Sequence, residues 1–174
     1  MTVELSTFSP EGKVKEQHAI LHVEPKGELF ATQFDRLVRA EQALLALPQC
    51  AGSCLLFKRY FLSDATNQAA IVTAASSSPA TSFIQQPPLD GSKVAAWLYL
   101  ASDMKVGVSD GLFTASHNGY EHLWMLGLTE NEGDSAAQTT ALLNRYENAL
   151  QRCGASLADN CIRTWFYVRD VDTQ

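Results

Sequence analysis

The residues best suited to chemistry lie near the C-terminus. Arg163, Trp165 and Tyr167 alternate, so on a strand they share one face. A guanidinium beside two aromatic rings suits a planar, anionic ligand, because the charge pairs with the anion while the rings stack. The same pattern fits an arginine packed against aromatics at a subunit interface, and the residues alone leave both readings open. Ile162, Phe166 and Val168 fall on the opposite face, which predicts a core beneath a helix. Tyr120, His122 and Trp124 form a second alternating row, which fits a pocket wall, a core or an interface. The candidate substrate-binding residues are therefore Arg163, which would pair with the anion, and Tyr120 and Trp165, which would shape the wall.

Other chemistry-bearing residues carry weaker signals. His117 sits beside Asn118-Gly119 and reads as a solvated turn histidine. His18 and His22 are four apart, but on a strand that spacing does not create the paired metal ligation seen on helices. Cys50 and Cys54 also have four-residue spacing, without any Cys-x-x-Cys pair, and read as small buried apolar residues. No metal and no cofactor is expected. Asp170 and Asp172 sit at a strand end, where solvated acids are routine. The chain has no Gly-rich phosphate loop, no Gly-x-Ser-x-Gly elbow and no nucleophile beside a plausible base, so the catalytic residues are unknown.

The elements that must position these residues follow from periodicity. Residues 1–16 are polar and mixed and read as a loose arm. His18–Val23 is a short strand. Glu28–Leu47 is an amphipathic helix with Phe30, Phe34, Leu37, Val38, Leu44 and Leu45 as its stripe, ended by Pro48. Cys54–Leu62 is a strand, Ala65–Ala75 a helix and 76–79 a loop. Ser82–Gln86 and Val94–Ala101 read as a strand pair joined by a Pro- and Gly-rich connection. A meander follows: Lys105–Ser109, Leu112–Ser116 and Tyr120–Leu128, with Asp110-Gly111 and Asn118-Gly119 as tight turns. Ser135 and Gln138 have capping-box spacing, just after Asp134. Leu142, Leu143, Tyr146, Ala149, Leu150 and Cys153 form the terminal helix's stripe, Gly154 stops it, and Cys161–Val168 reads as a strand. The whole is α+β, with helices on one face of each sheet.

Residues 31–68 and 136–174 align as two helix–strand units about a hundred residues apart, which points to a repeated domain. Gln33, Leu37, Val38 and Leu45 fall opposite Gln138, Leu142, Leu143 and Leu150. The first copy continues well past Gln68 and the second stops at Gln174, so a piece of a longer protein is expected.

Composition narrows the function classes. The chain has 174 residues, 46% of them hydrophobic, enough for a packed core. Its formal net charge of −6 opposes a phosphate backbone, so nucleic acid is not an expected partner. No stretch approaches the roughly 18 apolar residues of a membrane span, and no signal-peptide core opens the chain; the expectation is no membrane and a cytoplasmic location.

The hairpin Gly-Leu-Phe-Thr-Ala-Ser at 111–116, the Gln-bearing helix, Gly154, and the run Asp-Asn-Cys-Ile-Arg-Thr-Trp-Phe-Tyr-Val-Arg-Asp-Val at 159–171 resemble the YjgF/RidA superfamily. Arg163-Thr164-Trp165 is closest to its two-domain, chorismatase-like branch, and Gln86–Lys93 is similar to the inter-domain region there. The strong part covers roughly 106 to 172. The resemblance implies tandem β-sheet-plus-helix domains of chorismate-mutase-like fold. The first is a divergent domain over 17–102, and the second, over 103–174, is incomplete. It implies a homo-oligomer, a trimer with clefts between subunits, that hydrolyses enamines or imines or opens the enolpyruvyl ether of a chorismate-like ligand. It also places the carboxylate-binding arginine and the catalytic acid past Gln174, so this chain alone is expected to be inactive. A non-catalytic ligand-binding or assembly module is the alternative. The endoribonuclease label carried by some members runs against the acidic charge.

Overall fold

In β3, Ser53–Leu62, side chains alternate across the sheet as a period of two requires: Lys58, Tyr60 and Leu62 point one way, Phe57 and Arg59 the other. That alternation organises the molecule. The computed structural model describes residues 1–75, 80–109 and 112–168. The expected loop at 76–79, the Asp110-Gly111 turn, and Asp170 and Asp172 lie outside the described residues. β3 belongs to a five-stranded sheet of order β1-β2-β5-β3-β4, with β1 Thr2–Phe8, β2 Glu16–His22, β4 Thr81–Gln85 and β5 Val94–Ser102. A second sheet is the antiparallel meander β6 Lys105–Ser109, β7 Leu112–His117 and β8 Tyr120–Trp124. The fold is α+β, as its periodicities predict.

The helix face of the large sheet carries the main core. Phe34, Leu37 and Leu44 of α1 (Phe30–Leu45) pack on Ala19, Leu21, Tyr60, Leu62, Ala96, Leu98 and Leu100. Each such large apolar side chain contributes about 1.5–3 kcal/mol by leaving water. Val72 of α2 (Ala65–Ala75) joins the same cluster. The opposite face is covered by the meander, where Phe113 and Ala115 of β7 and Trp124 of β8 meet Phe57, Tyr99 and Ala101.

Four sequence expectations are corrected. Residues 2–8 are a strand rather than a loose arm, paired antiparallel with β2 from Thr2↔His22 to Phe8↔Glu16. The period-2 order of Val3 and Leu5 against Glu4 and Ser6 supplies the reason, since Leu5 packs on the helix-face core. β4 and β5 do not form a hairpin. β5 lies between β2 and β3, and β4 runs parallel to β3 after the α2 crossover. Asp134, not Ser135, is the N-cap of α3 (Ser135–Arg152); its carboxylate accepts from the Ala137 amide at 2.9 Å. Residues 161–168 form no strand and join neither sheet. Their β-rich composition needs a ladder to become a strand, and the aromatic side chains instead pack on the face of the large sheet. Ile162, Phe166 and Val168 are 90%, 47% and 48% exposed, not buried under a helix. The helix halves of the two aligned units both form, but among the described residues only the first is followed by a strand.

Elsewhere the strand expected over Tyr120–Leu128 ends at Trp124, and an unexpected short helix, α4 Leu157–Asn160, follows α3. Asn118 (φ 48°) and Gly119 (φ 81°) turn β7 into β8 with two left-handed residues, as a tight hairpin demands. Gly154 (φ 73°) ends α3 after the stripe that buries Ala149 and Leu150.

Candidate functional site

Lys58 and Arg59 interrupt the apolar run of β3, and alternation sends them to opposite faces, both buried. Lys58 meets a counter-charge: its Nζ lies 2.6 Å from Oε1 of Glu41 on α1, and the Tyr60 hydroxyl donates to the other carboxylate oxygen at 3.3 Å. Burial, then Glu41, push the Tyr60 pKa well above its ordinary value.

Arg59 meets none. It is 5% exposed, yet no carboxylate pairs with it among the described residues. Its Nε donates to Ser82 Oγ at 3.2 Å and its Nη1 to the Tyr167 hydroxyl at 2.6 Å. The guanidinium lies over three rings, with its central carbon 4.9 Å from the Phe57 centroid, 5.5 Å from Trp165 and 4.9 Å from Tyr167. Burial pulls its pKa below the ordinary arginine value, and the Tyr167 oxygen opposes that shift.

The strands extend this setting into a row. Trp97 is the cross-strand neighbour of Arg59, stands edge-on to Phe57 at 4.9 Å and edge-on to Trp165 at 5.8 Å. The Trp97 indole donates to Nδ1 of His18 at 3.1 Å, which places the proton of the neutral imidazole on Nε2. His18 stacks on Tyr99 at 4.6 Å, and the Tyr99 hydroxyl donates to Glu16 at 2.9 Å. Burial lowers the His18 pKa against the pull of Glu16, and burial, then Glu16, raise that of Tyr99. The large sheet thus presents a cation, an aromatic floor, and a neutral imidazole with a carboxylate at the far end.

Of the sequence candidates, Trp165 is brought to Arg59, 39% exposed and stacked 6.3 Å from Phe57. Arg163 is exposed and holds its guanidinium 5.6 Å over the Trp165 ring. Tyr120 sits 72% exposed at the β7–β8 turn, where its ring partner is His117 at 6.2 Å. Trp165 and Tyr167 share a side, as alternation predicts. Arg59, Phe57, Trp97 and His18 are missed by sequence reasoning. The signal was two adjacent cations inside a ten-residue apolar strand, since one of them must face away from α1. No helix is long and apolar enough to cross a membrane among the described residues.

No protein-family model, curated protein or solved structure matches this chain, so no family assignment comes from comparison.

Proposed function

We propose that the chain binds a small carboxylated metabolite on the face of its large sheet, with Arg59 as the anion-binding group and Trp165 and Trp97 as walls. The observation that carries this reading is the contrast between two adjacent buried cations and, among the described residues, one carboxylate. Buried charges are ordinarily paired, because desolvating one alone costs several kcal/mol. Lys58 is paired; among the described residues Arg59 has two hydroxyls and rings in place of an anion. A planar carboxylate would complete the guanidinium's fork, with aromatic surface alongside for the rest of the ligand. Arg163, above Trp165, adds a second cation at the outer edge.

The YjgF/RidA-like reading is part of the proposal in its finer form: tandem domains at 17–102 and 103–174, a trimer, and lyase or hydrolase chemistry on a chorismate-like, enamine or imine ligand. The binding reading stands without that chemistry, and no catalytic residue is assigned. The test is isothermal titration of the chain with chorismate and with 2-oxo acids. Arg59→Met is expected to weaken binding by the roughly 1.5–3 kcal/mol of a charge-assisted hydrogen bond. Arg163→Ala, at an exposed position, is expected to cost less. Unchanged affinity in Arg59→Met, or no binding by the unmodified chain, leaves Arg59 as a packing residue. Sedimentation separates the trimer from a monomer.

A further inference from the structure

The β7–β8 hairpin carries a second cluster that the ligand reading does not use. His117 and His122 lie on one face of the ribbon: His117 pairs with Tyr120 and His122 with Ala115, next along the same face. Their Nε2 atoms are 3.2 Å apart, with ring centroids 5.4 Å apart and planes tilted by 18°. Two imidazole nitrogens bound to one tetrahedral ion at roughly 2.0–2.1 Å stand about 3.3 Å from each other. The contact is a hydrogen bond in which one Nε2 carries the proton, and a metal ion that displaces this proton finds both nitrogens already at the separation of a chelating pair. The turn Asn118-Gly119 sets both strands in register, so little conformational entropy is lost on binding. Of the pair, His117 lines an open depression at the hairpin tip with Asp103, Lys105 and Glu121.

We propose that His117 and His122 form a two-nitrogen site for a divalent transition-metal ion such as Ni²⁺, Cu²⁺ or Zn²⁺. Among the described residues no group of three or more His, Cys, Asp or Glu side chains converges to hold a metal, so water completes the coordination. Among the described residues the buried His117 Nδ1 has no hydrogen-bond partner. A missing second-shell acceptor lowers affinity by roughly 10–100-fold, so the site is weak, and copper binds it most tightly. Bound metal joins β7 to β8 beside the turn and stabilises the hairpin that holds Trp124 on the large sheet.

The test is titration of the full chain with Ni²⁺ near neutral pH, read by NMR and by calorimetry. Paramagnetic broadening is expected at residues 115–122, with one ion bound per chain. His117→Asn and His122→Asn are each expected to weaken binding at least about tenfold, while His22→Asn leaves it unchanged. The four cysteines remain in every variant, so thiol binding subtracts out. Broadening spread over the chain or centred on the cysteines, or unchanged affinity in the double variant, overturns the proposal. The broadening pattern needs no variant and decides the matter if a substitution unfolds the hairpin.

Discussion

Lys58 and Arg59 are neighbours in β3, and their charges are accommodated by different means. Lys58 and Glu41 are 8% and 10% exposed at the side chain and 2.6 Å apart. Removing one partner strands the other, so Lys58→Met alone is expected to cost about 3–5 kcal/mol, with much of this recovered by adding Glu41→Leu. Thermal unfolding of the three proteins checks it; a double variant no better than the single one refutes the pairing argument. Arg59→Met removes a buried cation that has no counter-charge among the described residues, so its stability is expected to be unchanged or higher even as ligand binding weakens. His18 gives the pH dependence. Its native pKa is lowered below the ordinary 6.5, so as pH falls the unfolded chain takes up the proton first. The contribution of neutral His18 is full above 6.5 and is lost as pH falls through the lowered native value. Protonation at Nδ1 also removes the acceptor of the Trp97 indole. His18→Asn is expected to flatten, not abolish, the decline of melting temperature in this window, because burial and His117 lower the His122 pKa as well. An imidazole titration of His18 at or above 6.5 contradicts this.

Elements with their own periodic stripe were legible in sequence; those defined by a distant partner were not. α1 and α3 follow from apolar spacing and stops at Pro48 and Gly154, whereas α2 carries no apolar stripe of its own. β4 and β5 were placed correctly but paired wrongly, since nothing in either strand says that β5 inserts between β2 and β3. Residues 161–168 have strand composition without a strand's neighbours, and Trp165 and Tyr167 take their contacts from Arg59 and Phe57 instead. The candidate site was half visible for the same reason: Trp165 and Tyr167 stood out as a row, while Arg59 acquires its meaning only when β3 is flanked by Ser82 and Trp97. Two predictions belong here. Asp134→Ala removes the cap accepting from Ala137 and is expected to cost about 1 kcal/mol, read by chemical denaturation. Tyr167→Phe frees Nη1 of Arg59 from a neutral hydroxyl that competes with a carboxylate. It is expected to tighten carboxylate binding by about 0.5–1.5 kcal/mol, and weaker binding would make Tyr167 part of the wall rather than a placeholder.

At the scale of the molecule, burial is distributed unevenly. β2, β5 and β3 are central in the large sheet, with Ala19, Leu21, Leu56, Leu62, Leu98 and Leu100 fully buried and α1 over one face. The meander is thinner: Val106 and Val108 of β6 are 49% and 63% exposed, and among the described residues both outer strands have an unpaired edge. α3 buries Ala149 and Leu150, while Leu142, Leu143 and Tyr146 are half-covered. Local opening free energy follows the apolar surface that each opening exposes, so the molecule is expected to unfold in steps rather than as one unit. Hydrogen exchange should find the slowest amides in β2, β5 and β3, faster ones in β6 and α3, and the fastest across 161–168, where side chains alone hold the segment to the sheet. A carboxylate ligand at Arg59 is expected to slow exchange in β3 and β5, whereas Ni²⁺ at His117 and His122 acts on β7 and β8, each by an amount set by its concentration relative to its dissociation constant. Protection that is uniform across all elements, or a ligand response with no bias toward either sheet, would refute this division of stability.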